Sequence, residues 1–168
     1  VLILGLDPGS LHTGYGLIEK VGSVLALREA GRISCRKELS LPVRLARLAE
    51  HAAELVARWR PDLAALESPF HGPNARSLIV LAQARGALLA AVAGAGVAVQ
   101  EYTPAEVKSA VTGNGRADKQ QVARMLGVLL ALSRDPAERP AHDATDALAV
   151  AVCCAHRLRH DRLRAALK

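Results

Sequence analysis

An apolar run from Val1 to Leu6 ends on Asp7 and a Pro8-Gly9 turn, and a second, Leu63 to Leu66, ends on Glu67. Short continuous apolar runs lack the alternation of a half-exposed sheet. They read as strands covered on both faces, the pattern of central parallel strands in a layered α/β architecture. Each carboxylate then sits at the end of a buried segment, where a charge is costly unless something compensates it.

The remaining pattern extends that frame. Residues 1–7 read as the first strand, and Gly14 to Ile18 and Ser23 to Cys35 as two more, forming an N-terminal antiparallel meander. Leu45, Leu48, Ala52, Leu55 and Val56 recur at helical spacing and predict a helix from about Leu41 to Trp59, stopped at Arg60-Pro61. After the strand Leu63 to Glu67, an Ala- and Leu-rich helix is expected from Asn74 to Ala93, ended by Gly94 and Gly96. Val97 to Tyr102 reads as a fifth strand. Thr103-Pro104-Ala105-Glu106 carries a capping box with Pro at the first helical position. Asp118 with Gln121 repeats the cap signature before a helix to about Leu132. A Pro-rich connection, Asp135 to Pro140, leads to a last helix from roughly Ala141 to Arg157. The order predicts an α/β fold, a mixed five-stranded sheet flanked by helices on both faces, in one domain over 1–168.

Two further acids, Asp143 and Asp146, are three residues apart at the start of the last helix, so both lie on one helix face. Taken singly, an Asp before Pro-Gly forms turns and an Asp near a helix start complements the dipole. Taken together, Asp7, Glu67, Asp143 and Asp146 suit a pair of hard divalent cations, which bind through carboxylate oxygens. Two cations roughly 3.5–4 Å apart are the equipment of phosphodiester hydrolysis. His142 is a second possible ligand, but adjacent helical residues point about 100° apart. Asp143, which shares a face with Asp146, is the favoured one.

Charge names the substrate class. The chain carries 22 Lys and Arg against 16 Asp and Glu, and cations at the four acids would enlarge that excess. A balance this basic in a small protein favours a polyanionic partner over small neutral substrates. The segment Gly113-Asn114-Gly115-Arg116-Ala117-Asp118-Lys119 fails the Walker pattern, because Lys119 follows Asp118 and not Gly. It reads instead as a Gly-rich turn presenting Arg116 and Lys119 to phosphates, with Lys108 before it and Arg76 as a further basic contact. Phe70, the only phenylalanine, stands between Pro69 and Pro73, where a ring could stack on bases or pack inward.

Three cysteines, two of them adjacent and none in a Cys-x-x-Cys pair, read as reduced, packed thiols of a cytoplasmic protein. No secretory leader is read, since the first apolar run is short and leads straight into Asp7. Charges are expected to interrupt every stretch long enough to span a membrane.

At its landmarks the chain resembles the RuvC family of Holliday-junction resolvases, within the RNase H-like fold. These are Gly5-Leu6-Asp7-Pro8-Gly9-Ser10, Leu66-Glu67 with Phe70 following, Gln83-Ala84-Arg85-Gly86, Pro104 to Lys108, Gly113 to Lys119, and Asp143-Ala144-Thr145-Asp146-Ala147-Leu148-Ala149. The resemblance implies a homodimer that nicks a four-way DNA junction symmetrically in two strands of like polarity, leaving 5′-phosphate and 3′-hydroxyl ends. It implies Mg²⁺, or Mn²⁺ in its place, with two ions per subunit, and the branch-migration proteins RuvA and RuvB as partners. By position, Asp7, Glu67, Asp143 and Asp146 match the metal-binding acids; the third acid is His in some members, which keeps His142 beside Asp143 as an alternative. Lys108 and Lys119 match basic residues important for junction handling, and Phe70 an aromatic near the crossover. The Ala-rich helix Asn74 to Ala93 is the candidate dimer interface.

Two other readings compete. The Asp-Pro-Gly-Ser turn is similar to the phosphate loop of actin-like ATPases and sugar kinases, but these clasp a nucleotide between two such domains, more than 168 residues hold. A non-catalytic DNA-binding module is disfavoured by the acids themselves, since carboxylates in a DNA-facing cleft weaken binding unless cations neutralise them.

Overall fold

A computed structural model describes residues 1–68, 74–133, 135 and 140–166, with side chains described as far as Leu158. The elements are β1 (Leu2–Asp7), β2 (His12–Val21), β3 (Val24–Ser34), α1 (Leu41–Trp59), β4 (Leu63–Glu67), α2 (Ala75–Gly94), β5 (Ala98–Tyr102), α3 (Pro104–Thr112), α4 (Lys119–Leu129) and α5 (His142–Ala166). They build a five-stranded sheet in the order β3-β2-β1-β4-β5. The first three strands form the antiparallel meander, while β4 runs parallel to β1 and β5 parallel to β4. The mixed sheet is the predicted one, with β1 and β4 at its centre.

Side chains alternate across a strand, so each central strand feeds two cores. Leu4 and Leu6 of β1 with Ala64 and Leu66 of β4 face α1 and α2, together with Leu48, Ala52 and Leu88. Ile3 and Ala65 face the other way, toward α3, α4 and α5, with Leu126, Leu148, Val150 and Val152. Asp7 is in phase with Ile3 and Gly5, and Glu67 with Leu63 and Ala65. Both acids therefore point to the α5 side, at the carboxyl edge of two adjacent parallel strands.

The helices obey their local signals. Pro42 opens α1, whose buried stripe is Leu48, Ala52, Leu55 and Val56, and Arg60 closes it in the left-handed conformation at φ 47°. Reciprocal capping boxes join Thr103 to Glu106 at α3 and Asp118 to Gln121 at α4. Three boundaries differ from expectation. β2 is longer at both ends because it pairs on both sides, α4 stops at Leu129, and α5 continues past Arg157 to Ala166. All three cysteines are buried outside any disulfide, and burial pushes the Cys153 thiol up to about 12.

The helix α2 departs from its expectation in a different way. Only Ala84, Leu88 and Val92 are buried, a narrow stripe against the core, while Ile79 is 59% exposed. From Ser77 to Gly94 a single charge, Arg85, interrupts the apolar sequence. That is too little to break it: the helix is long and apolar enough to cross a membrane, with mean hydropathy 1.6 and 17% of that window buried. The expectation that charges interrupt every such stretch fails here. A helix apolar all round calls for cover on more than one side.

Candidate active site

Asp7 stands directly opposite Gly14 in the β1–β2 ladder, and Gly14 opposite Arg32 in the β2–β3 ladder. Residues paired this way share a face, so the missing side chain of Gly14 leaves a gap beside Asp7. The first turn of α5 fills it. A Cβ on Gly14 would lie 1.8 Å from the carbonyl oxygen of Asp143, and one on Gly5 would lie 2.1 Å from that of Ala147. Gly16, paired with Gly5, makes room for the Leu148 side chain, whose Cδ2 would lie 2.6 Å from a Cβ there. Small residues of α5, Ala147 and Ala151, complete the seat. Backbone thus rests on backbone, which fixes the height and register of α5 and brings Asp143 and Asp146 over the strand ends that carry Asp7 and Glu67.

The turn after Asp7 is equally constrained. Thr13, fully buried, donates its hydroxyl to the Gly9 carbonyl at 2.7 Å and accepts from the Gly9 amide at 3.2 Å. This satisfies a buried polar side chain within the turn and holds the chain as it leaves β1.

Electrostatics ties the four acids together. Burial first, and then the charges of Asp146, Glu67 and Asp143, push the Asp7 carboxyl up from 3.8 to about 7, against the pull of Lys119. Glu67 is raised as well, by burial and then by Asp146, while Lys119 and Lys108 lower it. Lys119, at the start of α4, donates to Asp146 Oδ2 at 3.0 Å, and this bond, with its charge attraction, raises the ammonium. Across the site, Arg32 Nη1 is 3.5 Å from Asp143 Oδ2. Among the described residues, each acid of α5 is held by a cationic side chain, and Asp7 is in no ion pair.

Among the described residues, no group of three or more His, Cys, Asp or Glu side chains is gathered tightly enough to hold an ion as it stands. Mutual repulsion keeps uncompensated carboxylates apart, and Lys119 and Arg32 engage two of them. The donor set still fits a hard divalent cation: oxygen ligands only, rooted on two strands and one helix, with Asp7 half-buried among like charges and in need of a counter-ion.

The other predicted residues are placed as follows. Asp143 is half-buried and acts on Asp7, whereas His142 is exposed. Lys108, on α3, faces the cluster closely enough to influence Glu67. Arg116 is exposed in the turn between α3 and α4, where its amide donates to Asn114 Oδ1. Arg76, in the first turn of α2, lines a cavity with Ser10 on the other side of the Asp7 turn. Phe70 lies outside the described residues. Sequence reading missed the glycine seat and Arg32. The first had a signal, since Gly14 and Gly16 alternate inside a strand, where glycine marks close backbone approach.

A family model described as crossover junction endodeoxyribonuclease RuvC matches residues 3–154. A protein named crossover junction endodeoxyribonuclease RuvC from Geotalea uraniireducens is 48% identical over 154 residues, covering 92% of this chain and 88% of its own. One of the same name from Citrifermentans bemidjiense is 44% identical over 156 residues, covering 93% of each. Among solved structures, Thermus thermophilus RuvC in complex with a Holliday junction substrate superposes with a TM-score of 0.87 at 32% identity, over 95% of this chain and 96% of that one. The yeast mitochondrial Holliday junction resolvase Ydc2 shares the fold, with a TM-score of 0.67 at 14% identity over 95% of this chain and 82% of that one. With sequence and fold in agreement, the chain belongs to the RuvC family of crossover junction endodeoxyribonucleases.

Proposed function

We propose that this chain is a structure-specific endonuclease that resolves four-way DNA junctions, nicking two strands of like polarity symmetrically and leaving 5′-phosphate and 3′-hydroxyl ends. The observation that carries this reading is the four-acid edge, where a half-buried Asp7 meets Glu67, Asp143 and Asp146 beside Lys119. It lies in a chain 32% identical to a RuvC solved with a Holliday junction.

In this reading Asp7, Glu67, Asp143 and Asp146 hold two divalent cations, Mg²⁺ or Mn²⁺. Bound there, the cations would supply an activated water and charge stabilisation for the leaving oxygen. The chain's own residues set the geometry. Asp7, central and rigidly mounted, lies between the ligands of β4 and those of α5. The glycine seat holds Asp143 and Asp146 in reach, and Arg32 orients Asp143. Lys119, paired with Asp146 here, is free to turn to a phosphate once that carboxylate is satisfied by another cation. Lys108, Arg116 and Arg76 serve the backbone phosphates, and Phe70 the bases near the crossover.

A junction with two-fold symmetry needs two copies of this site, and α2 offers the surface for pairing them. It packs on the core through Ala84, Leu88 and Val92 and leaves apolar residues such as Ile79 to solvent. A second copy of the same helix covers that face in a homodimer. RuvA and RuvB would deliver the junction by branch migration.

The test is cleavage of a synthetic mobile four-way junction with and without Mg²⁺, set against a linear duplex of the same sequence. Paired nicks in the junction only, and only with the cation, are expected. Equal cutting of the duplex, or cutting in excess chelator, would contradict the proposal.

A further inference from the structure

Around the corner from the acid cluster, the turn after β1 faces the first turn of α2 across an open cavity of about 360 Å³, lined by Ser10, Arg76, Ser77, Val80 and Leu81. Its polar lining is cationic or neutral: one guanidinium and two hydroxyls, with no acid in the first turn of α2. A second guanidinium stands behind it. Arg44, from α1, donates Nη1 to Ser10 Oγ at 3.2 Å, and its Nε is buried without an acceptor. Arg76 makes no ion pair among the described residues, unlike Arg85 further along the same helix, which is matched by Glu101.

The attraction here comes from side chains and not from the helix end. The amides of Arg76 and Ser77 are already taken by Asn74 Oδ1, at 3.0 and 3.5 Å. Ser10 is three residues from Asp7, so the chain holds their Cα atoms within about 11 Å of each other. One or two nucleotides of a strand span that distance. The turn between the two points is held by the Thr13–Gly9 bonds, so cavity and acid cluster keep a set separation.

We propose that this cavity is a phosphate-binding subsite for the strand being cut. Arg76, with the hydroxyls of Ser10 and Ser77, holds a backbone phosphodiester one or two nucleotides from the one at the acid cluster. Arg44 supports Ser10 from behind and adds its charge. Such a contact carries no sequence information but fixes the register of the strand over the acids. The inference rests on the endonuclease reading and adds to it the point that anchors the strand.

The experiment reads affinity, so it does not depend on cleavage. Junctions carrying one neutral methylphosphonate linkage, moved through the three positions on either side of the cleaved bond, are titrated with wild type, Arg76→Ala, Arg76→Lys and Ser10→Ala. One position should weaken wild-type binding by about tenfold or more, the size of one charge-assisted contact. At that position Arg76→Ala should show no additional loss, Arg76→Lys should keep the sensitivity, and Ser10→Ala should reduce it. The salt dependence of Arg76→Ala binding should be shallower by about one unit of slope. Losses that multiply between the neutral linkage and Arg76→Ala at every position, or wild-type insensitivity throughout, would overturn the subsite. Failure of wild type to cut the unmodified junction in Mg²⁺ would count against the endonuclease reading instead.

Discussion

The two faces of the sheet are packed by opposite means. On one, α5 lies with its backbone against Gly5 and Gly14 and its Leu148 side chain against Gly16. On the other, α1 buries a stripe of Leu48, Ala52, Leu55 and Val56, and α2 beside it buries three residues fully, with others half-buried and Ile79 exposed. The first face trades side-chain volume for precision, since two backbones in contact leave no slack at the acids they carry. The second leaves apolar surface uncovered, each large side chain worth about 1.5–3 kcal/mol when removed from water. In the proposed function, chemistry belongs to the rigid face and association to the unfinished one.

The largest effect should come from spoiling the rigid face. Gly14→Ala puts a methyl group where the Asp143 carbonyl lies, so α5 must lift. Overpacking of this kind costs about 1–3 kcal/mol, and a misplacement near 1 Å lowers catalysis on the order of 100-fold. Junction cleavage should fall that far while binding changes little. A variant that cuts at the wild-type rate would show that the close seat is not what positions the acids.

Breaking the other face should do the reverse. Ile79→Glu places a charge on the exposed side of α2, so it should raise the dimer dissociation constant about tenfold or more and leave the melting temperature of the separated subunit unchanged. Sedimentation equilibrium reads the first and thermal denaturation at low concentration the second. An unaltered dimer would move the interface elsewhere.

How much of this contrast was legible beforehand depended on range. The acids at strand ends, the stripe of α1 and both capping boxes are local patterns, and each held its place. The opposition of Arg32 to Gly14 is not local. It depends on the β2–β3 register, which shifts between Leu17 and Ile18. A two-residue difference there would carry Arg32 away from Asp143. The exposure of α2 was hidden for another reason: a helix apolar on every side looks the same whether it is buried in a core or waiting for a partner. The bond from Lys119 to Asp146 joins residues 27 apart in sequence, so no local pattern disclosed it.

A smaller effect separates the faces by pH. Asp7, raised to about 7 in the folded chain against 3.8 ordinarily, is more readily protonated folded than unfolded. In cation-free buffer its contribution to stability is fully present below about pH 4 and is lost as pH rises through about 7. Glu67, also raised, acts in the same direction. Asp7→Asn removes the Asp7 part of this dependence, so its melting temperature should gain on wild type between pH 4 and 7, on the order of a few degrees. A constant difference across that range would mean that Asp7 does not hold its proton in the folded protein.

The acid cluster itself is tested most directly by single-turnover cleavage of a four-way junction by Asp7→Asn in saturating Mg²⁺, with junction affinity measured alongside. The substitution keeps the size of the side chain and removes the charge that two cations would share. Cleavage should disappear while affinity stays within a few-fold of wild type. Retained cleavage with lost binding would contradict the account, because Asp7 would then be holding DNA and not the chemistry.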